Sequence, residues 1–216
     1  MRPEAERGVS LRGDGPVLAF DTAGPWIEAC LRWPDGRVLH RVEPMEKGQA
    51  ERLMPVLQDL LAEAGLAWPD LGRIAVGTGP GNFTGVRIAV AAARGLALAS
   101  GRPALGVTRL EALAHGLPRP LTVIEDARRG EVYVQTFTGT GADAARIAQR
   151  DNIAPQTSVT GSAAGPDALP AMMRLTQAMA EIAAARSLPQ PRPAPFYLRG
   201  ADAAPPSDPP PVILPA

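Results

Sequence analysis

The stretch Gly77-Thr78-Gly79-Pro80-Gly81-Asn82-Phe83-Thr84-Gly85-Val86-Arg87, with the apolar run Ile88 to Ser100 behind it, constrains this chain more than any other. Ile74-Ala75-Val76 ahead of it reads as a buried strand. The glycines and Pro80 then force a tight loop that neither helix nor strand can cross. Asn82 or Thr84 can cap the helix that follows, because a side-chain oxygen there accepts from its first free N–H groups. That helix, Thr84 to Ser100, is apolar nearly all round, broken only by Arg87, Arg94 and Ser100. A helix apolar on every side has to be buried on every side, by its own domain or by a partner. Two arginines within about 17 residues argue against a membrane span, which takes about 20 apolar residues with few charges. A glycine-rich turn feeding a helix start is an anion site in principle. The spacing Gly79-x-Gly81-x-x-x-Gly85 is not G-x-G-x-x-G, however, and no Gly-Lys-Ser/Thr follows. A tight packing turn is the plainer reading.

Composition narrows the classes. A chain of 216 residues suits one domain or two small ones. Its 22 basic and 22 acidic residues cancel, which gives no reason to expect direct nucleic-acid binding by a basic surface. One cysteine, Cys30, rules out an internal disulfide and fits a reducing cytosol. Its strand-like surroundings suggest a packed thiol. No apolar core with a basic flank opens the chain, so no secretory signal is expected. A cytoplasmic location with no membrane contact is the expectation.

Residues 1–16 are polar and aperiodic and read as a disordered extension. The fold begins at Val17-Leu18-Ala19-Phe20, a strand ending at Asp21-Thr22. Ile27 to Trp33 and Arg37 to Val42 flank a Pro34-Asp35-Gly36 turn and predict a hairpin. Gln49 to Gly65 is amphipathic, with Leu53, Val56, Leu57, Leu60, Leu61 and Ala64 on one face. Pro55 inside it marks a kink or a shifted start. After the glycine loop and its helix, Ala104–Val107 reads as a strand, and Thr108 with Glu111 as a capping box. A second unit opens near Leu121: strand, Asp126, the turn Ala127–Gly130, then Glu131 to Phe137 as hairpin partner. Both halves thus run strand, aspartate, turn, strand, a hint of duplication. Thr138 to Ala168 is weakly periodic, apart from a strand end near Val159–Gly161. Ala168 to Ala185 is helical. Beyond Pro189 the chain is proline-rich, with Phe196-Tyr197-Leu198 as an anchor. The expected division is 17–118, a first α/β subdomain; 119–200, a smaller degenerate second one; and 201–216, a proline-rich tail. This pattern matches the duplicated α/β architecture of the actin, Hsp70 and sugar-kinase group (the ASKHA fold), with a reduced second half.

Gly79-Pro80-Gly81-Asn82-Phe83-Thr84-Gly85-Val86-Arg87-Ile88, Gly95-Leu96-Ala97 and Gly106 through Leu113 resemble the TsaB (YeaZ) family. Phe20-Asp21-Thr22, Asp126 through Tyr133 and Pro195 through Arg199 support the match, which covers about residues 17 to 200. The resemblance implies a non-catalytic subunit of the assembly that makes N6-threonylcarbamoyladenosine beside the tRNA anticodon. It implies TsaD, a catalytic paralogue of the same fold, as partner, the ATPase TsaE as a further partner, and a homodimer when the chain is alone. tRNA would be met only through the complex. TsaD holds its metal with two histidines in a Val-x-His-Leu-Glu-x-His pattern; here those positions are Arg109 and Leu113, which cannot serve as ligands. No metal is therefore expected, and ATP and a divalent metal are expected on the partner subunits. His40 and His115 lie on different elements, and His115 can pair with Glu111 at i+4. The helices Gln49–Gly65 and Thr84–Ser100 would form the interface, through Leu53, Leu57, Leu60, Arg87, Val90, Ala91 and Arg94. Asp21, Thr22, Gly81, Asn82, Asp126 and Arg128 are candidate anion or nucleotide contacts. The two aspartates also fit as plain turn caps, and Arg128 and Arg129 as solvated charges. An ATP-dependent phosphotransferase of the sugar-kinase type is the alternative, with Gly161-Ser162-Ala163-Ala164-Gly165 as its only further glycine-rich candidate. A stand-alone peptidase is weaker still.

Overall fold

The computed structural model describes residues 15–155 and 157–199. The expected N-terminal extension lies outside them apart from Gly15 and Pro16, and the tail 201–216 lies outside them entirely.

Among the described residues nine strands form two sheets. The first has the order β3 (Val38–Pro44), β2 (Trp26–Arg32), β1 (Val17–Asp21), β4 (Arg73–Gly77), β5 (Ala104–Val107). β1 pairs antiparallel with β2, Val17 opposite Arg32, and parallel with β4, Phe20 opposite Val76. The second has the order β8 (Arg146–Gln149), β7 (Glu131–Phe137), β6 (Leu121–Asp126), β9 (Ser158–Thr160). β6 pairs antiparallel with β7 and parallel with β9. Each half therefore repeats one plan, a hairpin whose first strand takes a parallel neighbour on its other edge. Among the described residues the second half has four strands to the first half's five, which makes it the reduced copy.

β1 is buried along its whole length because helices cover both faces of its sheet. Leu18, Phe20, Ile27, Ala29, Leu31, Ile74 and Val76 face α1 (Gln49–Glu63) and α2 (Phe83–Ser100). Val17, Ala19, Cys30, Ala75, Leu105 and Val107 face α4 (Leu175–Ala185). The alternation along each strand sorts the two sets. α1 runs unbroken through Pro55, so the proline neither shifts its start nor ends it. Its Leu53, Leu57 and Leu60 are fully buried in this core.

α4 corrects the expected division of the chain. Placed by sequence in 119–200, it packs against β1, β2 and β4 of the first sheet. It is also shorter than 168–185, and residues 168–174 form the irregular approach to it. Its N-terminus is capped across the sheet: the buried Glu28 of β2 accepts from the Thr176 N–H at 3.2 Å and the Thr176 hydroxyl at 2.9 Å. At the other end the Arg73 guanidinium donates to the Ala183 carbonyl at 2.6 Å, a cation at the negative pole of the helix.

α3 (Arg109–Ala114) joins the halves, packing on α4 and β6. The Thr108 hydroxyl accepts from the Glu111 N–H at 3.1 Å. The expected box is only half made, because the Glu111 carboxylate takes a bidentate bond from Arg186 at 2.6 Å instead. His115 likewise pairs with Glu181 of α4 at 3.1 Å and not with Glu111. Past α4 the chain runs as an extended strap over residues 187–199. The Phe196 N–H reaches the Thr78 carbonyl at 2.8 Å, Tyr197 stacks on Phe83 at 4.6 Å, and Leu198 enters the second core.

Candidate functional site: an interlobe cleft and an outward helix face

A cleft of about 510 Å³ opens where the halves meet. Its first wall is the β1–β2 turn, Ala23 to Trp26, with the glycine loop Pro80 to Phe83; the second is the β6–β7 turn, Glu125 to Arg129, with Ser162 and Arg199.

The glycine loop is packed hard onto the first turn. Asn82 settles the capping question: its side-chain oxygen accepts from the Gly85 N–H at 2.9 Å. The Thr22 hydroxyl donates to the Gly85 carbonyl at 2.6 Å, and a Cβ on Gly85 would lie 2.0 Å from the Thr22 carbonyl oxygen. Only glycine lets the helix start so close to β1.

The two aspartates make the same bond in the two halves. Asp21 Oδ1 accepts from the Ala23 N–H at 2.9 Å, and Asp126 Oδ1 accepts from the Arg128 N–H at 3.0 Å. Each is the local cap of its turn. Their surroundings differ: Asp126 is exposed at the cleft, whereas Asp21 is buried under β4, its Oδ2 where a Cβ on Gly77 would sit. Burial pushes the Asp21 carboxyl above the ordinary carboxylate range, and the Arg109 charge only partly offsets it. Of the candidate anion contacts, Gly81, Asn82, Asp126 and Arg128 line the cleft. Asp21 and Thr22 do not; they lie behind its floor, fully enclosed.

The buried ion pair at the cleft floor went unread in the sequence. Arg109 Nε donates to the buried Glu125 Oε2 at 2.7 Å, and Glu125 Oε1 accepts from the Ser162 N–H at 2.6 Å. Burial works against the Arg109 charge, but Glu125 and Asp21 outweigh it and hold the guanidinium's pKa above its usual value. One arginine on α3 thus pairs with Glu125 of the second half and carries a longer-range attraction to Asp21 of the first. Arg199 of the strap bonds the Ala127 carbonyl at 3.0 Å and pairs with Glu131. The Ser162 hydroxyl accepts from the Asp126 N–H at 3.1 Å. Among the described residues no histidine or cysteine lines the cleft to activate that hydroxyl. Among the described residues no three His, Cys, Asp or Glu side chains gather as a metal-ligand set. Cys30 is buried, and burial pushes its thiol up to about 12, so it is no nucleophile. Arg128 and Arg129 are exposed at the mouth with φ of 64° and 55°.

The second feature is the outer face of α2. The helix turns Val86, Ala89, Val90, Ala93 and Leu96 inward. Thr84, Arg87, Ala91, Arg94, Gly95 and Leu98 face outward, so an expectation of burial on every side fails within this chain. Leu98 is 88% exposed. α2 has the length and composition to cross a membrane, with a mean hydropathy of 1.3, yet it lies against the first sheet. Of the expected interface residues, only Arg87, Ala91 and Arg94 are on the surface. Leu53, Leu57, Leu60 and Val90 are spent on the chain's own core, because β2 and the β1–β2 turn already cover them. Arg87 lies 3.7 Å above the Phe83 ring and donates to the Tyr197 hydroxyl at 2.9 Å; Arg94 donates to the Pro193 carbonyl at 2.7 Å.

Comparison with known proteins gives a consistent set. The model of the family described as TsaD, tRNA N6-adenosine threonylcarbamoyltransferase, matches residues 43–204. The tRNA threonylcarbamoyladenosine biosynthesis protein TsaB of Escherichia coli (strain K12) is 42% identical over 125 residues, 54% of this chain and 52% of that protein. The structure of YeaZ from Pseudomonas aeruginosa is similar at a TM-score of 0.65 and 30% identity, covering 78% of this chain and 90% of that one. A P. aeruginosa protein with similarity to peptidase YEAZ gives a TM-score of 0.67 at 28% identity, covering 86% and 100%. The chain spans about half the length of the curated relatives it matches.

Proposed function

The chain belongs to the TsaB (YeaZ) family, and we propose that it acts in the biosynthesis of tRNA threonylcarbamoyladenosine as a non-catalytic subunit that docks on TsaD through the outer face of α2. The observation that carries this reading is the outward stripe Ala91, Gly95 and Leu98, apolar and small-residue surface that the chain's own core does not use, with Arg87 and Arg94 beside it. Small residues let a second helix approach closely, and the two arginines on this face add polar contacts at the edge of such a seam. The cleft supports the same reading. At its floor Arg109 and Glu125 satisfy each other, and among the described residues no histidine stands beside Ser162 to act as its base. A homodimer would use the same helix face in the absence of TsaD, and TsaE and tRNA would be met through the assembly.

The test is sedimentation of this chain alone and mixed with TsaD of the same organism, comparing the parent with Ala91→Asp. Ala91 is exposed, so the variant keeps its fold, which circular dichroism checks. The expected result is a one-to-one complex for the parent and at least a tenfold loss of affinity for A91D. Unchanged affinity puts the docking face elsewhere. Val90→Asp is no substitute, because it would place a charge in the chain's own core.

A further inference from the structure

A groove of about 1150 Å³ lies at the C-terminal end of α2, where the strap leaves α4. Its apolar wall is Leu98, Leu188 and Pro193, and Arg94, Arg102 and Arg192 stand around it. Leu98 is 88% exposed and Leu188 41%. Among the described residues none of the three arginines meets a carboxylate. Arg94 and Arg102 donate only to the Pro193 and Pro69 carbonyls. The groove is thus apolar along its wall and carries uncompensated positive charge at its rim.

We propose that this groove is the docking site for the chain's own segment 205–216, with Val212-Ile213-Leu214 on the apolar wall and Asp208 toward the arginines. Three observations select this occupant. The first is chemistry: residues 201–216 contain no lysine or arginine, two aspartates, and a single apolar cluster, Val212-Ile213-Leu214. The second is reach. The described chain ends at Arg199, tied to the second lobe through Ala127 and Glu131. Pro193, on the groove wall, is six residues before Arg199, so the two lie within about 20 Å at the roughly 3.3–3.6 Å that an extended residue spans. Val212 is 13 residues after Arg199, and a proline-rich spacer covers about 3.1 Å per residue, or about 40 Å. The segment reaches back with length to spare. The third is tethering: a linker of this length gives an effective concentration in the millimolar range, so a weak contact is enough to keep the groove covered. Docked there, the segment shields the C-terminal end of the same helix face that a partner would use. The proposal stands on the groove and the segment alone, whether or not α2 docks on TsaD.

The test uses the full chain carrying Ser207→Cys, modified with a nitroxide label. Cys30 does not compete, since it is buried and its thiol titrates only at about 12. The expected result is loss of more than half the amide signal for residues 95–102, restored when the label is reduced. Replacing Val212, Ile213 and Leu214, all outside the described residues, by serine should abolish the broadening. Leu98→Asp should do the same from the groove side. Broadening that is absent, or uniform over the surface, overturns the proposal. So does broadening of an isotope-labelled, spin-free chain by an unlabelled spin-carrying one, which would seat the segment of a second copy there. Neither result bears on TsaD binding, which the sedimentation experiment reads separately.

Discussion

Two glycines of one helix should respond to the same substitution with opposite sign. In Gly85→Ala the new methyl carbon would lie 2.0 Å from the Thr22 carbonyl oxygen, 2.8 Å from the Thr22 carbonyl carbon and 3.2 Å from the Ala23 Cα. All three are backbone atoms of the β1–β2 turn, so no side chain can rotate away. Relieving the contact means lifting α2 off β1 and breaking the 2.6 Å bond from the Thr22 hydroxyl to the Gly85 carbonyl. Overpacking of this kind costs about 1–3 kcal/mol, and the lost hydrogen bond adds about 1 kcal/mol. The gain from placing alanine in a helix, about 1 kcal/mol, offsets only part of this. In Gly95→Ala nothing lies within 4 Å of the new carbon and the position is exposed, so the helix gain of about 0.5–1 kcal/mol stands alone. For a chain of this size about 1 kcal/mol moves Tm by 2–4 °C. The expected shifts are therefore down by about 2–12 °C for G85A and up by about 1–4 °C for G95A. Thermal and denaturant unfolding should be followed at concentrations where the chain is a monomer, because association adds its own stability. A G95A that melts below the parent, or a G85A that matches it, refutes the packing argument. Gly95 also separates fold from docking. If a partner helix crosses α2 there, G95A raises Tm while lowering affinity for TsaD, two movements that a general loss of structure cannot produce together.

The buried carboxyl of Asp21 predicts a pH signature. Its folded pKa is raised, so the folded state holds the proton more tightly than the unfolded chain. The stability it contributes is present below the ordinary carboxylate pKa and is lost as pH rises through the folded value. Asp21→Asn cannot ionise and still accepts from the Ala23 N–H. Its denaturation midpoint relative to the parent should climb from acid toward neutral pH and then level off; a flat difference contradicts the assignment. Glu28→Ala leaves the Thr176 N–H and hydroxyl buried without their acceptor, which should cost about 1–3 kcal/mol in urea unfolding, while Glu28→Gln retains most of the stability. Arg109→Met strands Glu125 as a buried charge and should cost about 3–5 kcal/mol. The double variant with Glu125→Gln should recover much of that, and equal losses in the single and double variants would show that the pair is not what matters.

Much of this was legible because local rules act over a few residues. The spacing of Leu53, Val56, Leu57, Leu60 and Leu61 names α1 and its buried face, and the loop chemistry ahead of Phe83 names a helix start. Two strand–aspartate–turn–strand units expose the duplication, which the sheet orders repeat. What the pattern did not tell is which surface covers an apolar face: Leu53, Leu57, Leu60 and Val90, expected toward a partner, are buried in the chain's own core. Periodicity shows that Leu57 is inward but not whether β2 or a partner lies inward of it. The same gap misassigned α4: its apolar face fits either sheet, and nothing local marks Glu28, on a distant strand, as its cap. β8 escaped because its residues, Arg146-Ile147-Ala148-Gln149, form an edge strand with only partial burial and no clean alternation. Arg109 was read as a position without a metal ligand, and its pairing with Glu125 depends on α3 meeting β6, a contact that no sequence spacing encodes.

The two aspartate turns show one backbone plan kept in both halves of the fold while their surroundings differ. The turn bonds of Asp21 and Asp126 are the same, so the backbone plan of both halves is intact. Between them, however, Arg109 compensates the carboxylate of Glu125 and faces that of Asp21. Transition-state stabilisation needs charge that is held in place but not already neutralised, so that it strengthens as charge develops on the substrate. A floor whose arginine is already paired with Glu125 offers little of that at this position. It does join α3 of one lobe to β6 of the other, while the strap, through Arg199 and Tyr197, ties the β6–β7 turn to the start of α2. The cleft residues thus hold the two lobes and α2 in one arrangement, which is what the docking role proposed above requires of the outward helix.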